Sequence, residues 1–526
     1  MESGARTNAR HGIMWYMVRR AWVENLNLDV AAGNLHTEML RDWHHDPWGW
    51  PEIEFLARVE PEIIHQHCLS AGSQQAFPIE VPKENWSTRP AVVLDIADRV
   101  LYQALVDSIS VDIVGTLSPN TFGWRLPAIS PAPGEYSNQD LQWHTYTGHL
   151  NRLATFSSTA LRTDITSFFA SVPINAVHED IQDRATPGAH LDRLHSLIDG
   201  FQTIPGRLGL PQRSTASAVI ANMFLNPIDD VLTSHASSAP NVFKSKLQYH
   251  SFARWMDDIW LFTQNPASAR AAQKDLQSVA RNLGLNLNIA KTEVLEGDDV
   301  AKQALEIEHS AIDDAITENS NFVPLEELID GLLEDREKAS RSSINFASVR
   351  MRKYDHFYRL DDLLELAPRM PHVADAWAKL LKKAKQPELM QEWFVEYAGS
   401  EWAMFPWSLS HFARLFPSGF QPNRQLIEYF TETVVNAGAS LPILAVAVQR
   451  LCAWNPTAGR AACHAAYQQA TDPHVKRILA LGSLQVGQGR NMIRRWVSAD
   501  KENYPTLRML EHRNFTPPVV SKFFSG

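Results

Sequence analysis

The residues best suited to chemistry lie between Tyr249 and Phe262, in the stretch YHSFARWMDDIWLF. One adjacent acid pair, Asp257 and Asp258, sits between apolar and aromatic runs. Two neighbouring carboxylates in such surroundings are costly to hold unless a cation neutralises them. A β-turn that presents both acids to Mg²⁺ would supply that cation. The structural alternative is an ordinary hairpin turn with Asp at its tip. A third acid comes from upstream. Leu161 to Ile174, LRTDITSFFASVPI, reads as a β-run ending in Asp164, then a polar turn and two phenylalanines. Asp164 alone says little. Converging with the pair from a second strand, it makes three carboxylates that could hold two Mg²⁺ ions. One ion would activate a 3′-hydroxyl and the other would stabilise a leaving pyrophosphate oxygen.

Other elements must surround such a centre. Phe77 to Asp95 reads as two extended runs flanking a polar turn at Lys83 to Thr88. That β-hairpin would carry Lys83 and Arg89 at its mouth, two cations suited to a polyphosphate. Ile96 to Ile109 has helical periodicity, and Pro119 to Pro127 is a turn-rich loop. Gly206 to Leu232 reads as a Gly/Pro loop entering a helix, with Ser214 or Thr215 as N-cap. The opening of that helix would offer free backbone N–H groups to a nucleotide or template backbone. The pair Asp229–Asp230, farther along, reads as a solvated face. Leu283 to Leu295 alternates apolar and polar residues, a turn and strand that contain Lys291.

The chain has 526 residues, length for two or three domains, and a net charge of −10. An acidic protein must meet nucleic acid through a local groove rather than a global field. Cys68, Cys452 and Cys463 form no CxxC pattern, which suits a reducing compartment and argues against a disulfide scaffold. His65, His67 and Cys68 lack zinc-ligand spacing. No signal-peptide pattern and no membrane-spanning apolar run is visible, so the expected location is cytoplasmic, with no membrane partner. Residues 11 to 70 are rich in tryptophan. An amphipathic helix is expected around Met14, Met17, Val18, Ala21 and Trp22, then a loop at RDWHHDPWGWPE. These aromatics read as anchors onto the main domain, with base stacking as the rival use.

Taken in order, these segments resemble a reverse transcriptase. RPAVVLDIADRVLYQAL is similar to the family's first fingers motif and TFGWR to its SYGFR loop. TDITSFF carries the first catalytic aspartate, Asp164. GLPQRSTAS with IANMFLNPID resembles the LPQG-and-helix motif, RWMDDIWLF the YxDD hairpin, and LNLNIAKTEVL the motif with a lysine near the pyrophosphate. The resemblance covers about 77 to 300. It implies that Asp164, Asp257 and Asp258 are catalytic and hold two Mg²⁺ ions. It implies that Phe169 is a steric gate favouring dNTPs, and that Gln212 contacts the incoming nucleotide. Lys83, Arg89 and Lys291 would then sit near its phosphates. Two positions depart from the family: Arg213 replaces the glycine after the glutamine, and Trp255 replaces the Tyr or Phe of the hairpin. Both put ordinary template copying in question.

From about Glu306 the composition becomes acidic and polar, and helical segments follow in series. They include Pro324 to Leu333, Phe357 to Leu366, His372 to Ala384, Leu389 to Tyr397, Gln425 to Val435, Pro442 to Leu451 and His474 to Leu481. Arg490, Arg494 and Arg495 group at the start of the last of the series, Met492 to Val497, and read as a solvated face, with phosphate contact the alternative. The expected fold class is α/β plus α: right-hand polymerase fingers and palm, then an all-α HEAT-like helical-repeat domain. The expected divisions are a Trp-rich helical extension (1–76), fingers and palm (77–305) and the repeat domain (306–526). This order resembles the bacterial abortive-infection and defence-associated (unknown-group) reverse transcriptases. That resemblance implies anti-phage defence, RNA-templated or template-independent, protein-primed synthesis, dNTPs and a DNA product, an RNA template or companion, and a homo-oligomer. The contrasting class is a catalytically dispensable polymerase-like scaffold that binds RNA in a defence complex.

Overall fold

A computed structural model describes residues 22–70, 76–204, 209–237, 249–304, 307–436 and 438–522. The helix expected around Met14 to Ala21 and the Gly206 end of the Gly/Pro loop lie outside these. Among the described residues seven strands are present: β1 Ala76–Pro82, β2 Thr88–Leu94, β3 Thr121–Phe122, β4 Thr159–Thr163, β5 Phe252–Trp255, β6 Asp258–Thr263 and β7 Glu293–Glu296. The chain forms two compact units that do not follow chain order. The first draws on Met1–Arg41, Leu56–Gln74 and Ala97–Ser310; the second on Asp42–Phe55, Gln75–Ile96 and Ala311–Gly526.

The first unit is built on a five-stranded sheet of order β3-β5-β6-β4-β7. β4 pairs antiparallel with both β6 and β7, β5 with β6 antiparallel, and β3 with β5 parallel. Its central strands β5 and β6 are buried on both faces, as a covered sheet requires. On one face Ala160, Trp260, Phe262, Ala253 and Leu295 join Phe122, Tyr146, Leu150 and Leu153 in one core. The alternate residues Leu161, Ile259 and Leu261 are fully buried as well.

Six helices of this unit matter below: α1 Leu28–Met39, α2 Ile96–Val114, α3 Gln139–Phe156, α4 Thr215–Phe224, α5 Asn226–His235 and α6 Pro266–Asn282. α6 shows how local signals agree. Asn265 caps it by accepting from the Ser268 N–H at 2.9 Å, Pro266 opens it, and Ala269, Ala272, Leu276 and Ala280 form one buried stripe. That stripe packs on β4, β6 and β7.

The second unit pairs β1 with β2 as an antiparallel hairpin and is otherwise helical. At the hairpin tip Trp86 stacks on Phe405 (ring centroids 5.9 Å apart) and leans on Trp402 (5.4 Å). The helices α7 Arg341–Tyr354, α8 Ala374–Ala384, α9 Pro387–Gly399, α10 Pro406–Ala413, α11 Arg424–Val435, α12 Leu441–Trp454, α13 Pro456–Tyr467 and α14 Pro473–Gln485 stack in two rows. α7, α8, α10, α12 and α14 pack in succession, and α9, α11 and α13 do the same. Trp43, Trp48 and Trp50 are buried here, at 6%, 4% and 3% exposure, which rules out their use as an open stacking surface. Their loop is locked by Arg477, which is buried and donates to Asp46 Oδ1 at 2.6 Å and Glu52 Oε1 at 2.8 Å. Arg490, Arg494 and Arg495 lie on Arg490–Val497, where Arg494 pairs with Glu511 at 3.2 Å.

Candidate active site

Three acids gather at one end of the first unit's sheet. β4 and β6 are paired so that Thr163 faces Ile259. One further step of that register sets Asp164 across from Asp258. Asp257 lies in the two-residue turn between β5 and β6, where Trp255 pairs with Asp258. Met256, the first turn residue, has φ +55°. Positive φ at that position alone is the type II′ pattern, which matches the twist of a tight hairpin.

The acids repel one another. Asp257 is half-buried, and its carboxyl is pushed up to about 7, first by burial and then by the charges of Asp164 and Asp258. Asp258 is also raised, by burial foremost, while a hydrogen bond from Tyr146 opposes the rise. The Tyr146 hydroxyl donates to Asp258 Oδ2 at 3.0 Å. Asp164 is paired with Lys291, whose Nζ lies 2.7 Å from Oδ2. Lys291 ends a short 3₁₀ turn, Ile289–Lys291, that is pinned by the Asn288 N–H donating to the Asp164 carbonyl at 2.7 Å. Three hard-oxygen donors crowded until one of them resists ionising fit a divalent cation. Among the described residues no three acidic, His or Cys side chains are placed as a ready-made metal-ligand group.

A buried network positions the hairpin. Arg254 is fully buried and grips Asp229 twice, Nε to Oδ1 at 2.6 Å and Nη2 to Oδ2 at 2.7 Å. It also donates to Asn222 Oδ1 and to the Met256 carbonyl, each at 3.0 Å. Thr121 Oγ1 donates to Asp229 Oδ2 at 2.7 Å, and Asn222 Nδ2 to the Gly123 carbonyl at 3.1 Å. Asp229 is therefore not on a solvated face: it is 3% exposed, while Asp230 is exposed. The two acids differ because α5 turns Asp229 inward, beside Ile228 and Leu232, onto the one buried cation of β5. Buried charges persist only when paired.

The start of α4 corrects another expectation. Its first N–H groups are not free for a ligand. Thr215 N–H donates to Glu38 Oε2 at 2.7 Å, Ala216 N–H to Gln103 Oε1 at 3.1 Å, and Ser217 N–H to the Ser214 hydroxyl at 3.4 Å. Helix openings seek acceptors, and here the fold supplies them.

Phe169 and Gln212 belong to the same unit as the three acids and Lys291, and both are half-buried. The Phe169 carbonyl accepts from Leu210 N–H at 2.8 Å, which docks the Gln212 loop onto the segment after Asp164. A Cβ on Gly209 would overlap that carbonyl and the Ala170 backbone. Gly209→Ala is therefore expected to cost about 1–3 kcal/mol and to displace the loop, read as a lower melting temperature and a weaker affinity for nucleotide. Arg213, the departure from glycine, keeps φ +64° and donates from Nη1 to the Arg41 carbonyl at 2.9 Å. A side chain in that conformation costs roughly 1–2 kcal/mol.

Trp255 is packed by Trp143 (5.0 Å, edge-on), Tyr146 (5.7 Å) and Trp124 (5.9 Å), with its ring over Gly123. Lys83 and Arg89 belong to the second unit, where the Arg89 guanidinium lies 5.3 Å from the Trp43 ring. Sequence reasoning missed Tyr146, Arg254 and Glu38. Nothing in their local sequence distinguishes them from ordinary helix and strand residues.

Residues 81–325 match the family model described as reverse transcriptase (RNA-dependent DNA polymerase), a little under half of the chain. The match supports a nucleic-acid polymerase of the nucleotidyltransferase class, with nucleotide and nucleic-acid substrates. No curated protein matches the chain. Among the described residues no helix is long and apolar enough to cross a membrane.

For such an enzyme Tyr146→Phe is an informative change. Losing that donor removes a force holding the Asp258 proton affinity down. The acid limb of the activity–pH profile is expected to move to higher pH.

Proposed function

We propose that the protein is a Mg²⁺-dependent DNA polymerase of the reverse-transcriptase type that acts in anti-phage defence. The observation that carries this reading is the β4–β6 register, which sets Asp164 across from Asp258 beside the turn bearing Asp257. Asp164, Asp257 and Asp258 would hold two Mg²⁺ ions. When bound, the ions supply activation of the 3′-hydroxyl and stabilisation of the leaving pyrophosphate oxygen. The 3′-oxygen forms a bond to the α-phosphorus of a dNTP as the bond to pyrophosphate breaks. Tyr146 orients Asp258, and Lys291 brings a cation to the same sheet end. Phe169 excludes a ribose 2′-hydroxyl, and Gln212 contacts the nucleotide. Lys83 and Arg89 serve its phosphates.

The two-row helical stack supports a HEAT-like repeat domain. A polymerase domain with such a helical stack is the arrangement that supports a defence role, and the protein would act as a homo-oligomer in the cytoplasm. Template-independent or protein-primed synthesis stands beside templated copying because of one departure from the family pattern. Arg213 occupies the glycine position and is tied to the Arg41 carbonyl, so a charged side chain is held where the family has none.

The test uses purified full-length protein, Mg²⁺ and each labelled dNTP, with and without added RNA. Product without added RNA that survives RNase and shifts with protease supports self-primed, untemplated synthesis. Product only with RNA supports a templated enzyme with an RNA partner. Absence of product under every condition overturns the polymerase reading.

A further inference from the structure

We propose that α1, which precedes the segment matched by the family model, is a built-in positioning element for the Gln212 loop. Asn34, Glu38 and Arg41 recur at spacings of four and three, so they lie on one side of α1 and its end. Opposite them, α2 carries Arg99, Gln103 and Asp107 at spacings of four. The two rows interlock where both helices are buried. Glu38 is 8% exposed and receives Arg99 Nε at 3.0 Å and Nη2 at 2.6 Å. Asn34 Nδ2 donates to Asp107 Oδ2 at 3.0 Å, and Gln103 Nε2 donates to Asp107 Oδ1 at 2.7 Å.

This polar seam ends on the loop. Glu38 takes the Thr215 N–H and Gln103 takes the Ala216 N–H, directly after Gln212–Ser214. From the other side, Arg213 reaches the Arg41 carbonyl. The turn is thus held at its middle residue and at the helix opening that follows it, and the first of those ties uses the side chain that replaces glycine. Glycine would adopt φ +64° more readily but would leave the Arg41 carbonyl without this donor. Glu38 is therefore a positioning residue that acts through the loop backbone, and the Arg41 carbonyl holds the loop through the Arg213 side chain.

The inference rests on the polymerase reading for the role of Gln212, and its test separates the two. Steady-state dNTP incorporation is measured for the full chain and for Glu38→Gln, Arg213→Ala and Arg213→Lys. Loosening the loop is expected to raise the dNTP KM about tenfold in the first two, with kcat nearly unchanged. Arg213→Lys keeps a donor and should recover most of the loss. Should Glu38→Gln fail to fold, the exposed Arg213 decides alone. A KM unchanged in Arg213→Ala, or rising only in step with lost melting temperature, overturns the proposal. Amide exchange at Thr215 reads the same clamp without turnover. Faster exchange in Glu38→Ala than in wild type is expected, and equal protection overturns the clamp even if the wild type proves to have no polymerase activity.

Discussion

Asp257→Asn is expected to lower dNTP incorporation by about three orders of magnitude or more while making the metal-free protein more stable above neutral pH. Under the proposed function, the first effect follows from losing a charged ligand where charge stabilisation is the main work of phosphoryl transfer. The second follows from crowding. The Asp257 carboxyl titrates at about 7, against an ordinary value of 3.8. Its folded-state proton affinity is raised, so the native state binds more protons than the unfolded state between those values. Stability therefore falls as pH rises through that window, and the whole cost is present above about pH 7. The shift corresponds to a cost on the order of 4 kcal/mol. Asparagine keeps the shape and removes the charge. Melting curves without divalent ions should show the variant ahead of wild type at pH 8 and level with it near pH 4. Added Mg²⁺ should raise the melting temperature of wild type more than that of the variant. Equal stability at pH 8 would mean that the acids do not crowd as described.

Arg254→Met should destabilise the first unit by about 3–5 kcal/mol, because it leaves Asp229 charged and buried without its partner. For a unit of this size that is a fall in melting temperature of roughly 10 °C or more. The guanidinium also holds the Met256 carbonyl in the acid-bearing turn, so incorporation should drop further than the lost stability explains. Asp229→Leu should be similarly damaging alone. Combined with Arg254→Met it should recover much of the stability, since two apolar residues replace a buried pair. The turn would still lack its tie, so incorporation should stay low in the double variant. If activity returned along with stability, the Arg254 contact to the turn would not matter.

The order of these elements was legible in the chain. Alternation around an adjacent acid pair announces a hairpin whether or not its partners are known, and β5–β6 turns at Met256–Asp257. The hairpin of Ala76–Pro82 and Thr88–Leu94, and the helices after 323, follow from local periodicity and from Pro, Gly and Asn at their ends. Helix Arg341–Tyr354 was not read, because its arginines and serines dilute the apolar stripe of Ile344, Ala347 and Met351.

Roles that depend on pairing were not legible. Asp229 and Asp230 are identical in type and adjacent, yet one is buried on Arg254 and the other exposed. The N–H groups opening α4 look available in sequence, but they are claimed by Glu38 and Gln103, 177 and 113 residues earlier. Tyr146 reaches Asp258 across 112 residues. By itself the sequence determined the strand and helix segments and the acids placed at their turns, because these rest on period and turn chemistry within a few residues. Only the tertiary structure decided which charges are buried, which donors are spoken for and which unit each segment joins. Such outcomes depend on the desolvation of groups brought together from distant parts of the chain.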